Sequence, residues 1–288
     1  MLSLQKLPSV LLRHKVIHFL CKKGLVDNPA EATFNDGARA YVDLSDPEPR
    51  NVFLKGVFDP DFFPVAQAML PPEGVCFDIG ANIGLCAFGL LPTRPSARYH
   101  LFEANIRLVE LLEKSFALHP DASFTLNRAC VTDQPGHTRF YLETTQSGQS
   151  HVATEDEAGD TVPNLVLDEY LAARNLSEVH FAKMDLEGHE LPALQGWRKC
   201  LAEYRIKAIY IEIMPENQAR YGRPPNAPLY YLESLGYNLY LCKKEDFGSF
   251  GDAPNKTKLR NGYLPLSRFR AKEYPEDFAT DALALAPS

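Results

Sequence analysis

Two short stretches hold the residues best suited to chemistry. FDIGANIG, residues 77–84, follows an apolar run and carries Asp78 and two glycines, Gly80 and Gly84, four apart. Glycine takes the left-handed backbone of a tight turn and lets the chain come close to a ligand. Ala81 and Asn82 stand where a second glycine would complete G-x-G-x-x-G, so the stretch departs from the dinucleotide fingerprint. Asp78, at a strand end, can accept hydrogen bonds from a cationic or hydroxylated ligand, and its charge disfavours a pyrophosphate. Glu103 comes 23 residues after Gly80, about where an acid takes the two hydroxyls of an adenosine ribose. Together these residues point to an adenosine that carries an amino acid rather than a diphosphate.

The second stretch, KMDLEGHE at 183–190, brings Lys183, Asp185, Glu187, His189 and Glu190 close together. Asp185 falls at a strand end. Glu187 and Glu190 open the following helix, where acids also favour the positive end of the helix dipole, so capping is an open role for Glu190. Lys183 can pair with a neighbouring carboxylate. Glu212 lies inside the apolar run IYIEIM, where a carboxylate is costly unless paired. His151 lies in the polar stretch SGQSHV.

Alternating strands and helices must position these groups. Strands are expected at 75–80, 97–103, 124–131, 179–185, 206–213 and 238–243, with 138–143 and 262–266 as additions. Helices are expected at 83–91, 106–119, 165–174, 189–204 and 229–235. Strand-then-helix units give a doubly wound, mostly parallel α/β sheet, with right-handed crossovers. Its ligands sit beyond the carboxyl ends of the strands. Ahead of this core come a helix at 12–24, a hairpin at Asn35-Asp36-Gly37, and a helix that opens after Pro60 and stops at Pro71-Pro72. Residues 144–160 read as a mobile polar loop, and 246–261 as another loop. The organisation expected is an N-terminal extension (1–50), a main domain (51–270) and a C-terminal tail (271–288).

Composition limits the class. With 45% hydrophobic and 23% charged residues the chain reads as a soluble globule. A net charge of −7 argues against broad nucleic-acid binding. The six cysteines are scattered singly and none forms C-x-x-C, which fits reduced thiols in a cytoplasmic protein. Charges inside the apolar start break any signal-peptide core, and no run is long enough to span a membrane.

FDIGANIG, then FEAN at 102–105, KMDLEGHE at 183–190 and YIEI at 210–213 resemble the FkbM-type methyltransferases over roughly residues 52–243. Ala104, where a proline is usual, and Met184 and Leu186 within the acidic motif are the departures. The resemblance implies a Rossmann-like class I methyltransferase using S-adenosylmethionine. It also implies a seven-stranded sheet with a reversed last strand, and transfer to a hydroxyl of a sugar, glycan or secondary metabolite. It places Asp78, Gly80, Asn82 and Gly84 on the methionine side of the cofactor and Glu103 on the ribose, with Asn105 near it. Ala129 and Cys130 fall at the adenine edge, though Cys130 also reads as plain core.

Oxygen methylation asks for a hydroxyl held in line with the methyl group and for loss of its proton. Positioning supplies most of the gain, and a general base adds about 10²–10⁴-fold. Asp185, His189, His151 and Glu212 are the candidates for that base. Some class I O-methyltransferases bind a divalent cation. Asp185, Glu212 and Glu216-Asn217 offer oxygen ligands that suit Mg²⁺, but their spacing is not the usual one, so no metal site is assigned. A nicotinamide oxidoreductase and a cofactor-free binding protein are the competing functions. The missing G-x-G-x-x-G disfavours the first, and intact Asp78, Gly80, Gly84 and Glu103 disfavour the second. A homodimer through a sheet edge or the N-terminal helix is left open.

Overall fold

In the computed structural model, residues 10–287 are described. Helix α1 (Val10–Lys22) leads into a hairpin of β1 (Ala30–Phe34) and β2 (Ala38–Val42). Its turn is the expected one: Asn35, Asp36 and Gly37 have φ of 37°, 58° and 99°, the left-handed backbone that this residue set tolerates. Helix α2 (Pro47–Lys55) has no counterpart among the expected elements. Asp46 caps it by accepting from the Glu48 N–H, Pro47 sits in its first turn, and Gly56 ends it at φ 68°. Next come α3 (Phe62–Met69), β3 (Val75–Ile79), α4 (Leu85–Leu90), β4 (Arg98–Phe102), α5 (Ile106–Phe116) and β5 (Ser123–Asn127).

The chain then leaves the main sheet. β6 (Cys130–Val131), β7 (His137–Tyr141), β8 (His151–Val152) and β9 (Asp160–Leu165) form a separate sheet in the order β6-β9-β7-β8. It returns through α6 (Leu167–Ala173), β10 (Phe181–Met184), α7 (Glu190–Gln195), α8 (Arg198–Ala202) and β11 (Ala208–Ile213). The last elements are α9 (Pro215–Arg220), α10 (Ala227–Ser234), β12 (Asn238–Leu241), β13 (Asn255–Leu259), β14 (Gly262–Phe269) and β15 (Thr280–Leu285).

The main sheet has nine strands, not seven, in the order β13-β14-β12-β15-β11-β10-β3-β4-β5. The run from β11 to β5 is parallel, and β15 lies antiparallel between β11 and β12. The reversed strand therefore comes from the stretch expected as a tail. Other expectations also change. The strand expected at 124–131 breaks after Asn127, because β6 pairs with β9 instead. The helix expected at 189–204 breaks at Gly196, where a Cβ would lie 2.2 Å from the Thr132 carbonyl oxygen. Residues 144–160, expected as a mobile loop, hold a short turn and β8 and reach into β9. Residues 246–261 contain β13, which pairs with β14 as an added hairpin.

Side chains alternate across each strand, and this sorts the sheet into two cores. Phe77, Ile79, Ala182, Met184, Ile209 and Ile211 pack with Leu171, Leu194, Trp197 and Leu232. Cys76, Phe181 and Tyr210 face the other way, onto Ile17, Val42, Phe62, Phe88 and Leu112. The N-terminal elements thus share one core with the sheet. Burying a ring such as Phe62, 1% exposed, contributes about 1.5–3 kcal/mol. The same alternation sends Asp78, Lys183 and Glu212 toward the N-terminal side, near the carboxyl ends of their strands. Among the described residues no helix is long and apolar enough to cross a membrane.

Candidate functional site

The two motif turns are interlocked through their backbones. Gly80 has φ 77°, and a Cβ there would lie 1.8 Å from the Asp185 carbonyl oxygen. Only glycine allows that approach, so the end of β3 and the end of β10 are set against each other. Gly188 repeats the device with φ 100° and a Cβ position 2.2 Å from the Asn217 carbonyl oxygen. Gly84 differs. A Cβ there would meet Phe88 and Leu112, so its place in the motif answers to packing of α4 on α5.

Two chambers open above these strand ends. A small one, about 60 Å³, is lined by Gly80, Glu103, Ala129, Cys130 and His189 among others. A larger one, about 650 Å³, is lined by residues that include His14, Glu48, Phe58, Lys183 and Glu212. Asn82, Gly148, Asp185 and Glu187 border both.

In the small chamber the Glu103 carboxylate accepts from the Asn82 N–H and the Asn105 N–H, each at 2.7 Å. Burial pushes its carboxyl up to about 7, against the pull of those two donors. Each oxygen keeps a second lone pair for a ligand hydroxyl. Cys130 is a buried neutral thiol, pushed up to about 12 by burial. His189 pairs through Nε2 with the Thr132 hydroxyl at 3.0 Å, and its Nδ1 has no hydrogen-bond partner among the described residues. Burial, then Arg223, pushes it down to about 4, so it is a neutral imidazole.

The large chamber carries most of the charge. Lys183 Nζ lies 2.7 Å from Asp185 Oδ2. Burial works against the Lys183 ammonium, but Asp185, with Cys86 and Asp78, holds its pKa well above the usual lysine range. Asp185 feels burial too, yet Lys183 keeps it below the usual carboxylate range. The register that pairs Met184 with Ile211 puts Glu212 beside Asp185. Asp185, and then burial, drive Glu212 far up. The pair therefore shares one proton, and Lys183 beside Asp185 favours the negative charge on that residue. Glu187 is pushed up to about 8 by burial, then by Asp185 and Glu190.

Asp78 lines neither chamber. It is 2% exposed, pairs in register with Lys183, and its carboxylate has the Ala87 N–H near it but makes no hydrogen bond of ordinary geometry among the described residues. Burial raises it to about 7, with Lys183 opposing. Asn105 caps α5 by accepting from the Arg107 N–H and reaches Ser150 Oγ at 3.4 Å. Glu190 accepts from the Leu186 and Gly188 N–H groups, which makes it a brace for its own turn. His151 lines neither chamber, since its ring sits between the Gln149 carbonyl and Glu157.

Among the described residues, one group of acids could hold a cation. Oxygens of Asp185, Glu187 and Glu212 all lie within 4.8 Å of one another. Glu216-Asn217 is not part of it, and the Asn217 amide donates to Glu187. Residues the sequence reading passes over also shape the site: His14, Glu48 and Phe58 on the large chamber, and Ser147 and Gly148 on the small one. Of these, only the Ser-Asp-Pro-Glu start of α2 left a signal that could have been read.

A glycine-built crest thus stands at the carboxyl ends of the parallel run of an α/β sheet, with the acid Glu103 just after β4. The methyltransferase FkbM domain model matches residues 78–239, more than half of the chain. The chain belongs to the FkbM methyltransferase family. Among solved structures it is similar to a TehB-like SAM-dependent methyltransferase from Corynebacterium glutamicum, at 13% identity over 77% of this chain and 93% of that one, with a TM-score of 0.39. It is also similar to the O-methyltransferase TomG from Streptomyces achromogenes, at 13% identity over 79% and 78%, with a TM-score of 0.38. A third is an O-methyltransferase from Bacillus cereus, at 11% identity over 80% and 82%, with a TM-score of 0.39. No curated protein matches the sequence.

Proposed function

We propose that the chain transfers the methyl group of S-adenosylmethionine to a hydroxyl of a sugar, glycan or secondary metabolite. The observation that carries this reading is the meeting of the two chambers at Asp185. One contains the buried Glu103, and the other is large enough for an acceptor. The residues present fit the cofactor: Glu103, on the small chamber, keeps a lone pair on each oxygen for the two ribose hydroxyls. When bound, S-adenosylmethionine supplies an electrophilic methyl group on a cationic sulfur.

The protein's part is positioning and proton handling. Asp185 is anionic and accepts a hydrogen bond from the acceptor hydroxyl, which orients an oxygen lone pair toward the small chamber. Lys183 keeps Asp185 ionised at neutral pH and makes it a weak base, so it takes the proton late. Protonated Glu212 holds the other side of Asp185. Orientation of this kind supplies most of the barrier reduction. His189, neutral and turned to Thr132, and His151, tied to Glu157, are poorly placed for the same step.

The test is release of S-adenosylhomocysteine from S-adenosylmethionine in the presence of a panel of neutral saccharides and polyols, with mass analysis of the product. Gain of one methyl on oxygen is expected. Gain on nitrogen or carbon alone, or no turnover with any hydroxyl acceptor, contradicts the reading. A divalent-cation variant has the acid group Asp185–Glu187–Glu212 in its favour, but Lys183 already serves as counter-ion to Asp185. Activity that survives EDTA is the expected result. Loss that Mg²⁺ restores selects the cation.

A further inference from the structure

Residues 143–150 cross both chambers. Gln146, Gly148 and Gln149 border the large one, and Ser147, Gly148 and Ser150 the small one. The crossing is held at Ser147. Its N–H donates to Asp46 Oδ2 at 2.8 Å. Its hydroxyl lies 2.8 Å from the same oxygen and 3.0 Å from Asn82 Oδ1, and its single hydrogen serves one of them at a time. Asp46 is 7% exposed, and its other oxygen caps α2 through the Glu48 N–H at 3.2 Å. Asn82 in turn belongs to the glycine turn. The segment is closely seated, since a Cβ on Gly148 would touch Asn82 and Glu48 at 3.4 Å.

The size of the space beneath matters. Ligand pockets typically occupy about 300–1,000 Å³, while the chamber around Glu103 measures about 60 Å³. Ser147, Gly148 and Ser150 form part of the wall of that small space. The ends of the segment have anchors of their own: Glu143 accepts from Thr144 and Thr145, and His151 is fixed by Glu157. The middle depends on Asp46, which is 101 residues away in sequence.

We propose that Asp46 is a positioning residue that latches residues 143–150 over the donor site, and that release of the latch admits the adenosine end of the methyl donor. The proposal rests on the methyl-donor reading above. Asp46 also begins α2, whose Pro47, Glu48 and Asn51 wall the large chamber. The latch therefore ties the cover of the donor site to the wall of the acceptor site. A donor that binds only the unlatched form has its affinity reduced by the fraction of protein unlatched.

The test separates the two oxygens of Asp46. Asp46→Ser keeps a helix-capping hydroxyl and removes the second acceptor; Ser147→Ala, as a second variant, removes the hydroxyl bridge to Asn82. Amide exchange over residues 143–150 is measured on the unliganded protein, and S-adenosylhomocysteine association is measured by stopped flow. In Asp46→Ser, exchange and association should both rise about tenfold, with tighter equilibrium binding by a similar factor; Ser147→Ala should move both in the same direction by less. Unchanged exchange in Asp46→Ser overturns the latch. Faster exchange with unchanged or slower association overturns its role as a gate. If the unaltered protein binds no S-adenosylhomocysteine, the donor reading and the gate fail together, and the exchange result alone still decides the latch.

Discussion

The motif turns and the segment that crosses above them border the same two chambers but are held in opposite ways. In the turns, backbone stands against backbone. Gly80 meets the Asp185 carbonyl and Gly188 meets the Asn217 carbonyl, at distances no side chain could share. The crossing segment is held by hydrogen bonds that the Asp46 and Asn82 side-chain oxygens accept from Ser147. Such bonds contribute about 0.5–1.5 kcal/mol each, more when one partner is charged. The turns can open only if the sheet opens, whereas the segment can open alone. On the proposed function, reacting groups lie on the first kind of structure and access to them on the second.

The contrast breaks first at Gly80. Gly80→Ala should cost more than about 4 kcal/mol, read by urea unfolding. Gly222→Ala, also at positive φ but with nothing within 4 Å, should cost about 1–2 kcal/mol. Equal costs would mean that the turns are not interlocked. Next in size is Asp185→Asn, expected to slow methyl transfer about 10²–10⁴-fold with S-adenosylhomocysteine affinity changed less than about threefold. If affinity and rate fall together, Asp185 is a binding group only.

Glu103 gives a pH signature. Its carboxyl sits at about 7 in the folded protein against about 4.3 for an unperturbed glutamate. The folded state thus keeps a proton that the unfolded chain has released. The associated stability is full below about pH 4 and is lost as pH rises through about 7. A ligand that donates hydroxyl hydrogen bonds favours the ionised form. S-adenosylhomocysteine should therefore bind more tightly as pH rises from 6 to 8 and release protons on binding. Glu103→Gln should weaken binding about tenfold and flatten this dependence; a slope that persists assigns the proton to another group, with Asp78 the first to test. The smallest effect is expected at His151. His151→Ala loses its ties to Glu157 and the Gln149 carbonyl, costing about 1 kcal/mol in thermal unfolding, and leaves donor affinity unchanged. A large loss of affinity there would return His151 to the site.

The parallel half of the sheet was legible because short apolar runs alternate with stretches of helical spacing, and two of those runs lead into glycine turns. The acids at those ends followed from the same pattern: Asp78, Glu103 and Asp185 stand where the alternation stops. β15 was not legible. Its residues TDALAL are small and weak strand formers, and the segment is a strand because β11 and β12 pair with it on both sides. The break between α7 and α8 was equally hidden, since it depends on the Thr132 carbonyl, a partner distant in sequence. The cover over the chambers was read as a mobile loop for the same reason. Nothing within 143–160 announces Asp46. Helix α2 differs: Asp46-Pro47-Glu48 carries a cap, a first-turn proline and an acid that together mark a helix start, yet no helix is among the elements expected there.

The central claim is that the two motif turns hold an adenosine-bearing methyl donor, with Glu103 on its ribose. Calorimetric titration with S-adenosylmethionine, and with NAD as comparison, tests it most directly. One binding site per chain in the micromolar range, protons released near pH 7, and no heat from NAD are the expected result. Absence of S-adenosylmethionine binding at high micromolar ligand, or preferential binding of NAD, would contradict it.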